Sequence, residues 1–391
     1  MNVLRGWTPI LARRAVPAAA VVCLVAGVAG PLSGQQARRV EVRPARAGPT
    51  LGPLEYNAGS SVVWLSDTTL AITDATEHQI VVFDTSGREI ARLGRSGRGP
   101  GEFAGGGVLL ASDRGEIVVS DTRLSRVSYF DVRFRFVRSV QLPGMPTALL
   151  AWRGSRVAVV WSTVGTTGGG PVAGVVDLES GTVGARFSVF RSDSVLGRPV
   201  SVGGMTLQLP FVSAVAARDG LYLFARGDQY RFVGMDTAGV VRRTFGRPEL
   251  PPEYRTPAER QADEERALRA QQRGGFNPPP EAARMLRDML QELLSRPKDY
   301  LTSALAVDRT GRVWVASDRG AGDSTEIDVF SERGEFLQTV VVPHRVAAMS
   351  FRQARLAVLA QHRGGPYDGQ REVSVYVVSD GEGRPQRGRR E

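Results

Sequence analysis

The side chains best suited to acid–base or metal chemistry in this 391-residue chain are its three histidines, His78, His344 and His362. They stand far apart, and none shows the short local spacing by which one segment chelates a metal. Nucleophilic catalysis by serine is not signalled either, because no G-x-S-x-G elbow is present. The single cysteine, Cys23, lies in an N-terminal apolar run, so the rest of the chain has neither disulfides nor thiol chemistry. The run Gly97-Arg98-Gly99-Pro100-Gly101 could cradle a phosphate, but no helix follows it and Glu102 would repel an anion. It reads instead as a tight connection, with Phe103 plugged between two sheets.

Arg5, Arg13 and Arg14 precede the apolar run Ala15 to Gly30, which is short for a bilayer span and ends in small residues and a proline. Residues 1–34 are therefore expected to be a signal peptide, and the mature chain to be exported, periplasmic or secreted, with no stable membrane span. The formal charge of +10 comes almost wholly from arginine, since Lys298 is the one lysine. These basic residues are scattered, which argues against a nucleic-acid partner.

Most of the chain alternates apolar and polar residues in short runs between turn formers, the pattern of half-buried or buried strands. Leu70 to Phe103 is the clearest stretch. Ile72-Thr73-Asp74, His78-Gln79-Ile80, Val82-Phe83-Asp84, Gly87 and Gly97 to Phe103 fall at the spaced positions of the NHL repeat, and the stretch resembles that family of β-propellers. Phe130-Asp131 repeats Phe83-Asp84 after 47 residues, and AVDRTGRVWVASD at Ala306 to Asp318 returns to the same pattern. The resemblance implies an all-β fold, a six-bladed β-propeller over residues 61–380, preceded by a leader at 35–60 and followed by a disordered tail at 381–391. Arg39 to Arg43 is expected to supply the missing outer strand of the last blade, which would remove exposed sheet edges.

Between Phe245 and Leu301 the period changes from two to about 3.6. Thr256-Pro257 with Glu259 starts one helix and Pro279-Pro280 a second, so a helical hairpin is inserted between blades four and five, within 252–300. Met285, Leu286, Met289, Leu290, Leu293 and Leu294 form an apolar stripe on the second helix. The stripe is expected to seat the hairpin as a lid, although a hairpin packed on itself at the rim would bury it as well.

If each blade runs from inner to outer strand, the inter-blade connections and the second-to-third turns emerge on one face, here called the top. All the long loops then gather there, and functional loops concentrate on one side of a rigid scaffold. Trp161, Asp121, Arg226, Asp318 and His362 end second strands and point to that rim, which makes them the candidate ligand-binding residues. For the aspartates, tying the loop to backbone amides is the competing role. The expected function is binding or scaffolding through the top face and central channel, with a small molecule or an envelope protein as partner and a monomeric chain. No cofactor is identified from the residues. Lyases and lactonases of similar fold hold a metal through His, Asp, Glu or Asn converging on the channel, so a divalent metal and a metal-dependent lyase or lactonase-type hydrolase form the alternative.

Overall fold

A strand that carries apolar side chains at successive positions must be covered on both faces, and stacking sheets around an axis does this without leaving an outermost sheet. The computed structural model describes residues 40–44, 54–55, 61–74, 77–105, 107–162, 171–189, 200–202, 205–207, 213–226, 230–273, 279–298, 301–317, 319, 324–361 and 370–380. The segment expected to be a signal peptide and the tail 381–391 lie outside them.

Six antiparallel sheets follow one another along the chain, each built on four strands, and that of blade six gains a fifth from Leu54–Glu55, which pairs with Arg371 and Gln370. Blade one runs from Val62–Trp64 to Glu89–Leu93, blade two from Leu109–Ala111 to Phe136–Gln141 and blade three from Met145–Arg153 to Val183–Ser188. Blade four runs from Ser213–Ala216 to Val241–Gly246 and blade five from Leu301–Val307 to Phe336–Val342. In blade six the order from inside out is Arg345–Arg352, Arg355–Gln361, Gln370–Asp380 and then Val40–Pro44, brought from the start of the chain. The register of that last pair, Val40 opposite Asp380 and Pro44 opposite Tyr376, is antiparallel throughout. The fold is a six-bladed β-propeller.

An apolar cluster fills each boundary between blades. In blade one Ala71, Ile80 and Val82 face blade two, while Leu70, Ile72, Val81 and Phe83 face blade six. Leu359 and Val373 of blade six complete the second of these clusters, which closes the ring. Trp64 adds a polar seam there, its Nε1 donating to the Ser350 carbonyl at 3.2 Å. Each large side chain buried in this way contributes about 1.5–3 kcal/mol.

The bottom face is made of tight turns anchored by aspartate. Asp84 accepts from the amides of Ser86 and Arg88, Asp131 from those of Arg133 and Arg135, and Asp236 from those of Ala238 and Val240. The aspartate that recurs in the sequence is thus a turn anchor. The top face carries the long connections. One contains a short hairpin, Val200–Val202 paired with Met205–Leu207, where the sequence reading has only a loop. Another is the insert between blades four and five, with helices α1 (Pro257–Arg273) and α2 (Pro280–Leu294) packed on each other. No helix among the described residues is long and apolar enough to cross a membrane.

Removing residues 35–46 should strip the outer strand from blade six and leave Tyr376–Asp380 as an open edge. The expected result is a fall in melting temperature of about 5 °C or more by circular dichroism; an unchanged transition would mean that the outer strand contributes nothing to closure.

Candidate functional site

The six innermost strands pair on one side only and turn their free edges to the axis. They enclose a cavity of about 500 Å³. Ala214, Ala216, Ala304, Ala306, Ala347 and Ala348 are among its lining residues, which keeps the bore open, and Ser61 and Thr147 stand near the top. The charged residues of this lining, Asp113 and Arg352, belong to bottom turns, and Arg352 Nε is already paired with Asp67 Oδ1 at 3.0 Å. The wall is neither a ring of carboxylates and imidazoles nor a funnel of arginines and aromatics. Among the described residues no group of three or more His, Cys, Asp or Glu could hold a metal ion.

The sequence candidates do not converge on one site. Asp121 is wholly buried and ties down the top loops, its Oδ2 accepting from the Ala104 amide at 2.9 Å and its Oδ1 from the amides of Arg123 and Leu124. This is the loop-tying role set against ligand binding above. Trp161 is 1% exposed and packs in the core between blades two and three, so its indole offers no surface to a ligand. It faces sideways into the next sheet because strand residues alternate between faces, not along the strand toward the rim. Arg226 ends the second strand of blade four opposite Arg231. Asp318 and His362 lie outside the described residues. Of the other histidines, His344 Nδ1 is 3.8 Å from Glu372 Oε1, and His78 sits in a top turn with φ 55°.

The glycine-rich connection after blade one is filled from within. Glu102 folds back so that its carboxylate accepts from the Gly99 amide at 2.7 Å and from Arg95 Nε at 2.8 Å. These contacts hold the Glu102 carboxyl below the usual range, the Gly99 amide first. A Cβ at Gly97 would come within 2.1 Å of Glu102 Oε2, so the glycine makes room for this internal anion. Arg126 braces the outside of the loop by donating to the carbonyls of Arg98, Gly99 and Glu102. Phe103 is buried against Phe130, with ring centroids 6.1 Å apart.

The most concentrated charge on the top face lies between blades four and five. Asp328 is fully buried in the third strand of blade five. Its Oδ2 accepts from Arg319 Nη2 at 2.6 Å, from Arg247 Nη1 at 3.1 Å and from the Tyr230 hydroxyl, while Oδ1 accepts from Thr339 Oγ1 at 2.6 Å. Arg247 also lies over the Phe336 ring, 4.0 Å from its centroid, and Arg319 reaches Glu326 at 3.3 Å. Burial first, then the Asp328 charge, raise the Tyr230 phenol far above its ordinary value, so it remains a proton donor. The network is saturated and offers no free acid or base. Its role is to fix Arg247, the residue after blade four, where the insert departs.

The insert is clasped at its root. Lys298 Nζ bridges Glu253 at 2.7 Å and Glu259 at 2.9 Å, and its amide donates to the Glu253 carbonyl at 2.6 Å. Glu259 also closes a capping box on α1, accepting from the Thr256 amide at 2.7 Å while its own amide donates to Thr256 Oγ1 at 3.2 Å. Beyond this root, α2 runs beside the strand Val200–Val202. Of the expected lid stripe, Leu290, Leu293 and Leu294 are half-buried and Met285 is 38% exposed, so the stripe is not covered along its whole length. The side chains of Leu286 and Met289 lie outside the described residues.

Residues 58–159 match a family described as a six-bladed β-propeller. Among solved structures, a Bacteroides thetaiotaomicron protein of unknown function, 8% identical, aligns over 87% of this chain and 77% of its own with a TM-score of 0.51. A Bacteroides fragilis protein designated as exported is 11% identical, aligned over 88% of this chain and 95% of its own, with a TM-score of 0.49. Virginiamycin B lyase from Staphylococcus aureus is 12% identical, aligned over 87% and 99%, with a TM-score of 0.44. At such identities the likeness is one of fold. No curated protein sequence matches the chain.

Two outcomes follow from the network and the clasp. Asp328→Ala leaves two half-buried guanidiniums without their shared carboxylate and the Tyr230 hydroxyl without its acceptor, and should cost about 3 kcal/mol in urea unfolding, whereas Tyr230→Phe should cost about 1–2 kcal/mol. The carboxyl of Glu259 is held down to about 2 from 4.5, chiefly by Lys298 and the Thr256 amide. Its stabilising contribution is therefore complete above pH 4.5 and is lost as pH falls toward 2. Limited acid proteolysis with pepsin should cut the insert increasingly over that range, and Glu259→Gln should be cut to the same extent at pH 4.5 as the parent chain is at pH 2.

Proposed function

We propose that this protein is an exported binding propeller of the cell envelope, which holds a small molecule or a partner protein at its top face and the mouth of its axial cavity. The observation that carries this reading is the one-sidedness of the molecule. The bottom is a set of short aspartate-anchored turns, while the glycine-rich connection, the Val200–Leu207 hairpin and the helical insert all rise from the top. A rigid scaffold with its long loops on one face presents that face for recognition. The channel is wide enough for a small ligand and is lined mainly by small, uncharged side chains, which suits retention more than chemistry. The arginine-led apolar run at the start of the chain supports export. In this reading the insert is a lid, hinged at the Lys298 clasp and able to cover the bore through the exposed part of its stripe.

The reading is tested by site-specific photo-crosslinking in the native host. Crosslinkers at Gln79 and Arg98, on the top, should capture an envelope component, and crosslinkers at Asp67 and Arg133, on the bottom, should not. Replacing Pro257–Arg296 by a short Gly-Ser linker should leave the propeller folded and change the yield from the top positions. Capture from the bottom positions alone would overturn the proposal. So would one divalent metal per chain in the protein purified from its host, which would favour a metal-dependent lyase or lactonase-type hydrolase.

A further inference from the structure

At five blade boundaries the sheets meet through large side chains. Phe103, Phe130 and Phe136 lie between blades one and two, Tyr129 and Trp152 between blades two and three, and Phe232, Phe245 and Phe330 between blades four and five. Trp314 and Phe351 lie between blades five and six, and Trp64 and Phe83 between blades six and one. The boundary between blades three and four also holds Phe224 and Phe187, but it is open at its bottom end. Ala151 and Ala158, directly opposite each other in blade three, face Ala216 and Gly220 of blade four, and the space left between them is a cleft of about 360 Å³. Tyr222 and Thr237 complete the blade-four wall.

Two arginines stand at the mouth of this cleft. Arg153 and Arg156 are cross-strand partners at the two-residue turn Gly154-Ser155, and both line the cleft. Like charges directly opposite each other are mutually repulsive, so the pair is costly unless an anion lies between them. Among the described residues Arg153 has no carboxylate partner, and Arg156 has only Asp177, at 3.8 Å. That carboxylate is already engaged by the amides of Glu179 and Ser180 and by the Ser155 hydroxyl at 3.1 Å. The other nearby acid, Asp219, is paired with Arg243 at 3.0 Å. Burial raises the Tyr222 phenol while Arg153 pulls it down, so ring and guanidinium share one environment.

We propose that this cleft is a second binding site, on the face opposite the one assigned above, and that it takes a small organic carboxylate with an apolar body. The carboxylate lies between the guanidiniums of Arg153 and Arg156, whose planar donors match two oxygens. The apolar body enters between the sheets, against Ala151, Ala158, Val175 and the ring of Tyr222. The volume lies within the range of small-ligand pockets, and the floor of small residues sets the thickness that can enter.

The test is isothermal titration calorimetry of the full chain with 4-phenylbutyrate and with its neutral amide. The carboxylate should bind saturably at one site per chain, and the amide at least about tenfold more weakly, since a charge-assisted bond is worth about 1.5–3 kcal/mol. Arg153→Ala and Arg156→Ala should each weaken binding by about tenfold or more, with unchanged melting temperatures because both side chains are exposed. Ala151→Leu, which narrows the cleft and keeps both charges, should abolish binding of the phenyl compound. No saturable binding of the carboxylate, equal affinity for the amide, or undiminished binding in the double arginine variant would each overturn the proposal.

Discussion

Every blade of this molecule is buried on both faces, and the rest of the structure depends on that constraint. A sheet in an open sandwich can leave one face to water, but here Leu70, Ile72, Val81 and Phe83 cover one side of blade one while Ala71, Ile80 and Val82 cover the other. Only strand ends, turns and the outermost edges remain free to vary. Recognition is therefore confined to the two rims and the bore. The same constraint requires that the ring close, and the chain meets it by bringing Val40–Pro44 to the outside of blade six and by locking Trp64 to Ser350.

The buried charges follow the same logic. A carboxylate inside a stack of sheets is tolerated only when its lone pairs are filled, and Asp328 has four donors, two from blade four and its exit and two from its own blade five. Arg247 and Arg319 are held by it and cannot serve a ligand. The arginines of the bottom cleft contrast with these: among the described residues Arg153 has no carboxylate partner, and Arg156 has one distant partner, Asp177 at 3.8 Å, which also accepts from the amides of Glu179 and Ser180. Since nearly all the basic residues of the chain are arginine, what separates one guanidinium from another is whether a carboxylate has been provided for it.

The sequence made the architecture legible because alternation is a local property. The blades, the insert and the closing strand could be read from period two, period 3.6 and a leftover strand. The plugging of Phe103 between two sheets was equally readable, while Glu102 was read only as repelling an anion and proves to fill the glycine-rich loop itself. What escaped was non-local. Trp161 looked like a rim residue from its place at a strand end, but its neighbours in blade two decide that it is core. The hairpin at Val200–Leu207 was signalled by Gly203-Gly204 between two short apolar alternations, a turn chemistry that the reading passed over. Asp328 carried a signal too, a carboxylate between Ile327 and Val329 in a mostly buried strand, which demands partners. Those partners, Arg247, Arg319 and Tyr230, lie in three separate segments that only the fold assembles. The bottom cleft could not be seen at all, because four small residues are unremarkable until two sheets face each other.

The chain has a single lysine, Lys298, and it holds the root of the insert by bridging Glu253 and Glu259. Besides the chain's amino terminus, it is the only primary amine the protein offers. The two carboxylates raise its pKa, Glu253 first, so the unprotonated form that attacks acylating reagents is scarce while the clasp is closed. An amine-reactive dye would thus mark one position without any engineering, and its rate of attachment would follow how often the insert lets go of the propeller.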